Sequence, residues 1–175
     1  MSRPSDLLLV AMLLAACGGG DSSSRSETGS VSAGAADDQD VDACSLLTSD
    51  EIQAAMGWTP DTSSGKSYGT TTTCAYHGKD AVKQSVVLVL ARPAPKVSTS
   101  AELAERRNEQ AKRQPDIKMV ITPLEGLGVP AVRSELEGSP QPTIEAVVGG
   151  RLLGVTTSDF EASKALVPKA AARLH

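Results

Sequence analysis

Five side chains in this 175-residue chain are of types that support nucleophilic, redox or metal chemistry. They are the three cysteines and the two histidines, Cys17, Cys44, Cys74, His77 and His175. A cysteine can be acylated, form a disulfide or bind a metal ion, and a histidine can act as a base or as a metal ligand. The segment in which each residue lies determines which of these chemistries is open to it.

Cys17 follows an unbroken ten-residue apolar run, Leu7 to Ala16. Ten residues are too few to span a bilayer, but they match the hydrophobic region of a secretory signal peptide. Leu14-Ala15-Ala16-Cys17 also resembles the lipobox of bacterial lipoprotein signals, in which the cysteine is acylated and the chain is cut just before it. The resemblance implies that residues 1–16 are a signal peptide and that Cys17 carries lipid. An ordinary signal peptide with an accidental cysteine, or a buried apolar helix, is the alternative.

Residues 17–42 join this cysteine to the rest of the chain and are rich in Gly, Ser, Ala and Asp. This composition buries too little apolar surface to offset the entropy of ordering, so we predict a disordered linker. Seven of the 21 acidic and two of the 17 basic residues precede position 43, so residues 43–175 keep 14 acids, 15 bases and a formal charge of +1. A single, nearly neutral domain over 43–175 gives no reason to expect a nucleic-acid partner.

Cys44 and Cys74 are the cysteines that remain after Cys17, and export would place them in an oxidising compartment. We therefore predict a disulfide between them that joins the start of the first helix to the first strand. The alternative is a metal site formed by Cys44, Cys74 and His77, but this set lacks the fourth ligand of a structural zinc site.

Three S/T-x-x-E motifs predict the starts of three helices, because the hydroxyl and the carboxylate of such a capping box satisfy free backbone N–H groups. The motifs begin at Thr48, Thr99 and Ser158, and the helices are predicted near 48–57, 99–114 and 158–174. Gly57 is expected to end the first helix, and Pro168 to kink or shorten the third.

Runs of β-branched and apolar residues predict strands between these helices. The runs are 70–76, 86–91, 117–122, 144–148 and 151–157, with turns at 77–80 and at Gly149-Gly150. The run 86–91 is continuously apolar, which suggests a central strand covered on both faces. The element order predicts an α+β fold with a mainly antiparallel sheet and about three helices packed on one face. The segment Trp58 to Gly69 is expected to be a loop, long enough to act as a lid over a ligand site.

Residues 44–76 carry a second resemblance. Their motifs are Cys44-Ser-Leu-Leu-Thr48, Glu51-Ile52, Ala55-Met56-Gly57 and Cys74-Ala-Tyr76. Together with the lipobox and the Gly/Ser linker, these motifs resemble the pattern of a family of small bacterial lipoproteins of unknown function. The resemblance implies a domain anchored by lipid to the cell membrane or outer membrane and facing the extracytoplasmic space. It implies no biochemical role.

The remaining sequence offers few parts of a catalytic site. Aromatic residues make up only 2% of the chain, which is too few for the stacking platforms that bind bases or sugars. No G-x-S-x-G elbow is present, and Glu135 and Glu137 are explained by a solvated strand face. We therefore predict no catalytic residue, metal or cofactor, and assign no ligand-binding residues.

These observations favour a membrane-anchored, non-catalytic module that binds a small-molecule ligand or an envelope protein. Trp58 could line its site, although a Trp that follows a helix stop more often packs against that helix. The first alternative is a structural or assembly protein of the cell envelope, and the second is a hydrolase that uses His77.

Overall fold

A computed structural model describes residues 41–114, 116–139 and 141–174. Cys17, the predicted signal segment and the predicted linker up to residue 40 lie outside the described residues. The described chain contains a short 3₁₀ turn, three helices and seven strands. Their bounds are 3₁₀ turn Ala43–Ser45, α1 Ser49–Met56, β1 Thr62–Tyr68, β2 Thr71–His77, β3 Ser85–Ala91, α2 Ser100–Lys112, β4 Met119–Leu124, β5 Ala131–Leu136, β6 Thr143–Val148, β7 Arg151–Thr157 and α3 Phe160–Ala171.

The seven strands form one sheet in the order β1-β2-β3-β7-β6-β5-β4, and every neighbouring pair is antiparallel. Each half of the sheet is a set of sequential hairpins, and β3 pairs with β7 to join the halves. Gly149 and Gly150 form the β6–β7 turn with φ of 54° and 74°, a conformation that favours glycine at both positions. The predicted α+β class with an antiparallel sheet is confirmed.

The main core lies on one face of the sheet, which we call the main-core face. Side chains alternate between the two faces along a strand. On this face the central strands contribute buried residues, namely Cys74, Tyr76, Val86, Leu88, Leu90, Ile144, Ala146, Val148, Leu153 and Val155. α3 packs on β6 and β7 here, and α1 packs on α3.

α2 lies on the opposite face, which corrects the prediction that the helices share one face. Its buried Leu103 and Ala104 pack with Val132, Val147 and Leu152 in a second, smaller cluster. Each of these strand residues is a sequence neighbour of a main-core residue, so it points to the other side of the sheet. α2 packs mainly on β4 and β5 and reaches β6 and β7 only through side-chain contacts, and thus covers only one end of that face.

The helix ends follow two of the three predicted caps. The Thr48 hydroxyl accepts a hydrogen bond from the Glu51 N–H at 3.2 Å, and the Glu51 carboxylate accepts one from the Thr48 N–H at 2.9 Å. Gly57 ends α1 with φ of 75°, and the Thr99 hydroxyl caps α2 through the Glu102 N–H. The predicted start of α3 at Ser158 is wrong, because Asp159 is its N-cap.

Two further segments differ from the prediction. The expected loop Trp58 to Gly69 contains the edge strand β1, all of whose residues are exposed. α3 continues through Pro168 and ends at Ala171, three residues short of the predicted end.

Candidate functional site

The predicted disulfide between Cys44 and Cys74 is present, with the two Cα atoms 5.0 Å apart. It attaches the 3₁₀ turn to the middle of β2. The hydroxyl of Tyr76, two residues further along β2, donates to the Cys44 carbonyl at 2.8 Å and to the Leu47 carbonyl at 3.2 Å. Burial is the main effect on this hydroxyl and raises the pKa of Tyr76 above its ordinary value. The Cys44–Cys74 bridge and the Tyr76 hydroxyl fix the start of the domain to the main-core face.

The alternative metal site at Cys44, Cys74 and His77 is contradicted. Both sulfur atoms are in the disulfide, and His77 is three positions from Cys74 on the same strand, so it points to the opposite face. Among the described residues, His77 Nδ1 is buried and has no hydrogen-bond partner. A histidine base of the triad type is hydrogen-bonded to its nucleophile and to an orienting carboxylate. The surroundings of His77 do not have that form.

The carboxylates Glu135 and Glu137 do not share a site. Glu135 is on β5 and forms an ion pair with Arg133, whose guanidinium carbon lies 4.4 Å from the centre of the Phe160 ring. Glu137 follows the strand and pairs with Lys118 at 3.3 Å. Each carboxylate is therefore part of a separate, solvated ion pair.

On the sheet face opposite the main core, no helix of the described residues packs on the part that α2 leaves bare, which we call the open face. Along β3 and the second half of β2, buried residues that point to the main core alternate with half-buried residues that point to the open face. The half-buried residues of the open face are Thr71, Thr73, Ala75, His77, Ser85, Val87, Val89, Ala91, Thr143 and Thr156. Most of these side chains are small or β-branched. They form a pleated surface of valines and alanines bordered by threonines, with the paired residues His77 and Ser85 at one end.

β3 explains why sequence analysis missed this surface. Its apolar run suggested cover on both faces, whereas only Val86, Leu88 and Leu90 are buried by the main core. Val87 and Val89 remain half-buried between strands β2 and β7. An apolar strand residue gives the same sequence pattern whether it packs against the protein's own core or against a partner. Periodicity alone therefore does not distinguish the two cases.

A buried ion pair marks the border between the open face and α2. Arg107 of α2 donates to the Glu145 carboxylate, and the Glu145 side chain is only 11% exposed. The second oxygen of Glu145 is buried and has no hydrogen-bond partner among the described residues. Next to it, the hydroxyls of Thr143 and Thr156 are 2.7 Å apart and bond to each other. The pair fixes α2 on β6, because breaking it would leave a buried charge without a partner.

One cleft beside α2 has a different character from the open face. It is lined by Glu105, Arg106, Glu109, Gln110 and Arg113 of α2 and its C-cap, with Pro95. These side chains are mostly charged and lie on a solvated helix surface. Such a lining lacks the apolar enclosure that small-molecule sites usually have.

Comparison with known proteins gives no relative from which a role could be transferred: no family model, no curated protein and no solved structure matches the chain. Within residues 41–174, apart from the undescribed 115 and 140, none of the helices is both long and apolar enough to cross a bilayer.

Proposed function

We propose that this chain is a lipid-anchored extracytoplasmic protein whose domain is a non-catalytic binding module for a protein of the cell envelope. The open face is the surface that binds the partner. The observation that best supports the proposal is the open face, which no helix of the described residues covers and on which Val87 and Val89 are only half-buried. Cys17 in its lipobox-like segment supplies the anchor.

The Cys44–Cys74 disulfide supports the proposed location. Structural disulfides form and persist outside the cytoplasm, where the environment is oxidising. The bridge joins the half-buried Cys44 of the 3₁₀ turn to the fully buried Cys74 of β2, so it is part of the folded domain.

The shape of the open face favours a protein partner over a small molecule. Small-molecule sites are concave and bury most of their ligand, whereas this face is an open, pleated sheet surface. Protein interfaces have uncharged, apolar centres with polar rims. Val87, Val89 and Ala75 form such a centre, and Thr73 and Thr156 lie on its rim.

A photo-reactive amino acid placed at Val89 in intact cells tests the binding surface. We expect irradiation to capture a defined envelope protein, and a Val87→Glu substitution in the same chain to reduce the captured amount at least tenfold. The matched control is the same photo-reactive residue at Val120, which is 59% exposed on β4 and lies on the other face of the sheet. If Val89 captures nothing, or captures the same proteins as Val120, the open face is not the binding surface.

A further inference from the structure

β1 is an edge strand with unusual properties for a free edge. Its seven residues, Thr62–Tyr68, are all exposed and pair with β2 in continuous register without a bulge. Natural edges are commonly blocked by a proline, a bulge or several charges. β1 has no proline, and its one charged residue is Lys66.

The direction of the backbone groups of β1 follows from the hydrogen bonds at the ends of β2. Gly78 N–H donates to the Gln84 carbonyl, and the Thr70 carbonyl accepts from Arg92 N–H, so the even-numbered residues of β2 bond to β3. The odd-numbered residues of β2 therefore bond to β1, and their partners in β1 are the even-numbered ones. Ser63, Gly65 and Ser67 consequently direct their N–H and C=O groups away from the sheet.

The opposite edge of the sheet is blocked. Glu137 N–H donates to the Lys118 carbonyl at 2.8 Å, so the backbone N–H and C=O groups of the even-numbered residues of β4 point toward β5. Pro123 is therefore at an outward position of β4, where a partner strand would need an N–H group. Only the β1 edge offers an uninterrupted row of donors and acceptors in the described sheet.

We propose that β1 pairs with β1 of a second copy of this chain, antiparallel about a two-fold axis at Gly65. In this register Gly65 lies opposite Gly65, and Ser63 lies opposite Ser67 of the second copy. All three outward N–H groups and all three outward C=O groups of each strand are then paired, which makes six hydrogen bonds. The same segment is used by both copies, as a closed two-fold interface requires.

The side chains fit this register. Lys66 lies opposite Ser64 of the second copy, so the two lysines do not face each other. Tyr68, which is 64% exposed, lies opposite Thr62 of the second copy, an aromatic and β-branched pair of the kind that stabilises neighbouring strands. The formal charge of +1 on residues 43–175 adds little repulsion between the copies.

The start of the domain also fits a second copy on the same membrane. The Val41 carbonyl accepts a hydrogen bond from the Thr72 hydroxyl at 3.2 Å, and Asp42 Oδ1 is 3.7 Å from where a Cβ on Gly65 would lie. Both linkers thus join their domains beside the two-fold axis and on the same, main-core side. Two anchors can then enter one membrane, a step that rests on the proposed lipid anchor, whereas the pairing itself does not.

The pairing would join the two open faces. The two-fold axis that relates two antiparallel edge strands is perpendicular to the sheet, so the same face of both sheets lies on the same side. The open faces formed by β2 and β3 of the two copies are therefore on one side of the joined sheet. The open faces would point away from the side on which the linkers join. In the dimer the two open faces lie on the same side of one continuous sheet, with the even-numbered side chains of the two β1 strands between them.

Register-specific cross-linking of the full chain tests the proposal. Two differently tagged copies, one with Ser64→Cys and one with Lys66→Cys, are co-expressed in a bacterial host and treated with a thiol oxidant. Residues 64 and 66 lie directly opposite, with Cα atoms about 4.5–5.5 Å apart, within disulfide reach. We expect a mixed-tag disulfide dimer at least tenfold above that from either variant paired with itself. Thr62→Cys with Lys66→Cys is the control, because that pair is diagonal and too far apart.

Ser67→Pro in both copies should reduce the cross-link at least tenfold, because it removes an outward N–H without breaking a bond to β2. Ser67→Ala should leave it unchanged. Retention of the Cys44–Cys74 disulfide in peptide maps shows that each variant has folded, and Ser63→Pro replaces Ser67→Pro if it has not. Absence of the mixed dimer, equal yield from the control pair, or capture of a different protein at these positions would overturn the proposal.

Discussion

One carboxylate, that of Glu51, joins the two helices on the main-core face. It accepts the Thr48 N–H as part of the α1 cap, and it pairs with Arg173 at 3.0 Å. Arg173 also donates to the Leu46 carbonyl at 3.0 Å, so the segment that follows α3 is attached to the residues just before α1. Partial burial raises the pKa of Glu51, but the Thr48 N–H and the Arg173 guanidinium outweigh this effect and hold the pKa below its ordinary 4.5.

Replacement of Glu51 by Gln should produce a pH-dependent loss of stability. Because the folded pKa is lowered, the stabilisation is fully present above the unfolded value near 4.5 and is lost as the pH falls through the folded value. We expect Glu51→Gln to lower the free energy of unfolding by about 1 kcal/mol at pH 7, and the difference from the parent to shrink toward zero near pH 3. Urea unfolding at several pH values measures this difference. A loss that stays constant from pH 7 to pH 3 would contradict the assigned charge.

At the scale of elements, the start of α3 illustrates how a motif can be displaced by one residue. Ser158-Asp-Phe-Glu161 fits a capping box, but β7 extends to Thr157, whose hydroxyl accepts the Asp159 N–H at 3.1 Å. This bond places Asp159 at the helix start, where its carboxylate accepts the Glu161 N–H at 2.9 Å. The side chain of Ser158 instead donates to the Lys83 carbonyl at 3.3 Å.

Two single substitutions separate these alternatives. Asp159→Ala removes the observed cap and should cost about 1 kcal/mol of unfolding free energy. Ser158→Ala, the matched control one residue earlier, should change it by less than about 0.5 kcal/mol. Chemical denaturation of both variants gives the comparison. A larger loss of unfolding free energy for Ser158→Ala than for Asp159→Ala would indicate that Ser158, the residue predicted from sequence, is the N-cap.

The elements that sequence predicts well are those whose own residues determine them. β2, β3, β6 and β7 follow from β-branched runs, and the turn between β6 and β7 follows from Gly149 and Gly150. β1 was missed because an exposed edge strand needs no apolar alternation, and Thr-Ser-Ser-Gly-Lys-Ser-Tyr has none. Its extended form comes from pairing with β2, a tertiary effect.

The side of the sheet that α2 occupies also depends on tertiary structure. Its thin stripe, Leu103 and Ala104, predicts a buried face but does not say which side of the sheet it meets. A signal was nevertheless present in the strands. Val147-Val148 and Leu152-Leu153 are apolar at successive positions, as expected where both faces of a sheet are covered. The open face could not be assigned from sequence, because it results from how far α2 extends across the strands.

At the scale of the whole molecule, the three cysteines divide between two tasks. Cys44 and Cys74 close a loop with a sequence separation of 30 and stabilise the domain. Cys17 precedes the domain and, in the proposed function, attaches it to a membrane. Acyl chains contribute about 0.8 kcal/mol per buried CH₂, and stable anchoring needs more than one chain.

Membrane attachment and domain stability should therefore be separable by substitution. We expect Cys17→Ser to move most of the protein from the membrane fraction to the soluble fraction and to leave its urea midpoint unchanged. The matched control, Cys44→Ser with Cys74→Ser, should remain with the membrane and lose about 3–4 kcal/mol of unfolding free energy in the chain-entropy model. Fractionation and denaturation of the same samples measure both properties. If Cys17→Ser stays in the membrane fraction, the lipid anchor is wrong. The fold and the pairing of β1 would stand, because neither depends on Cys17.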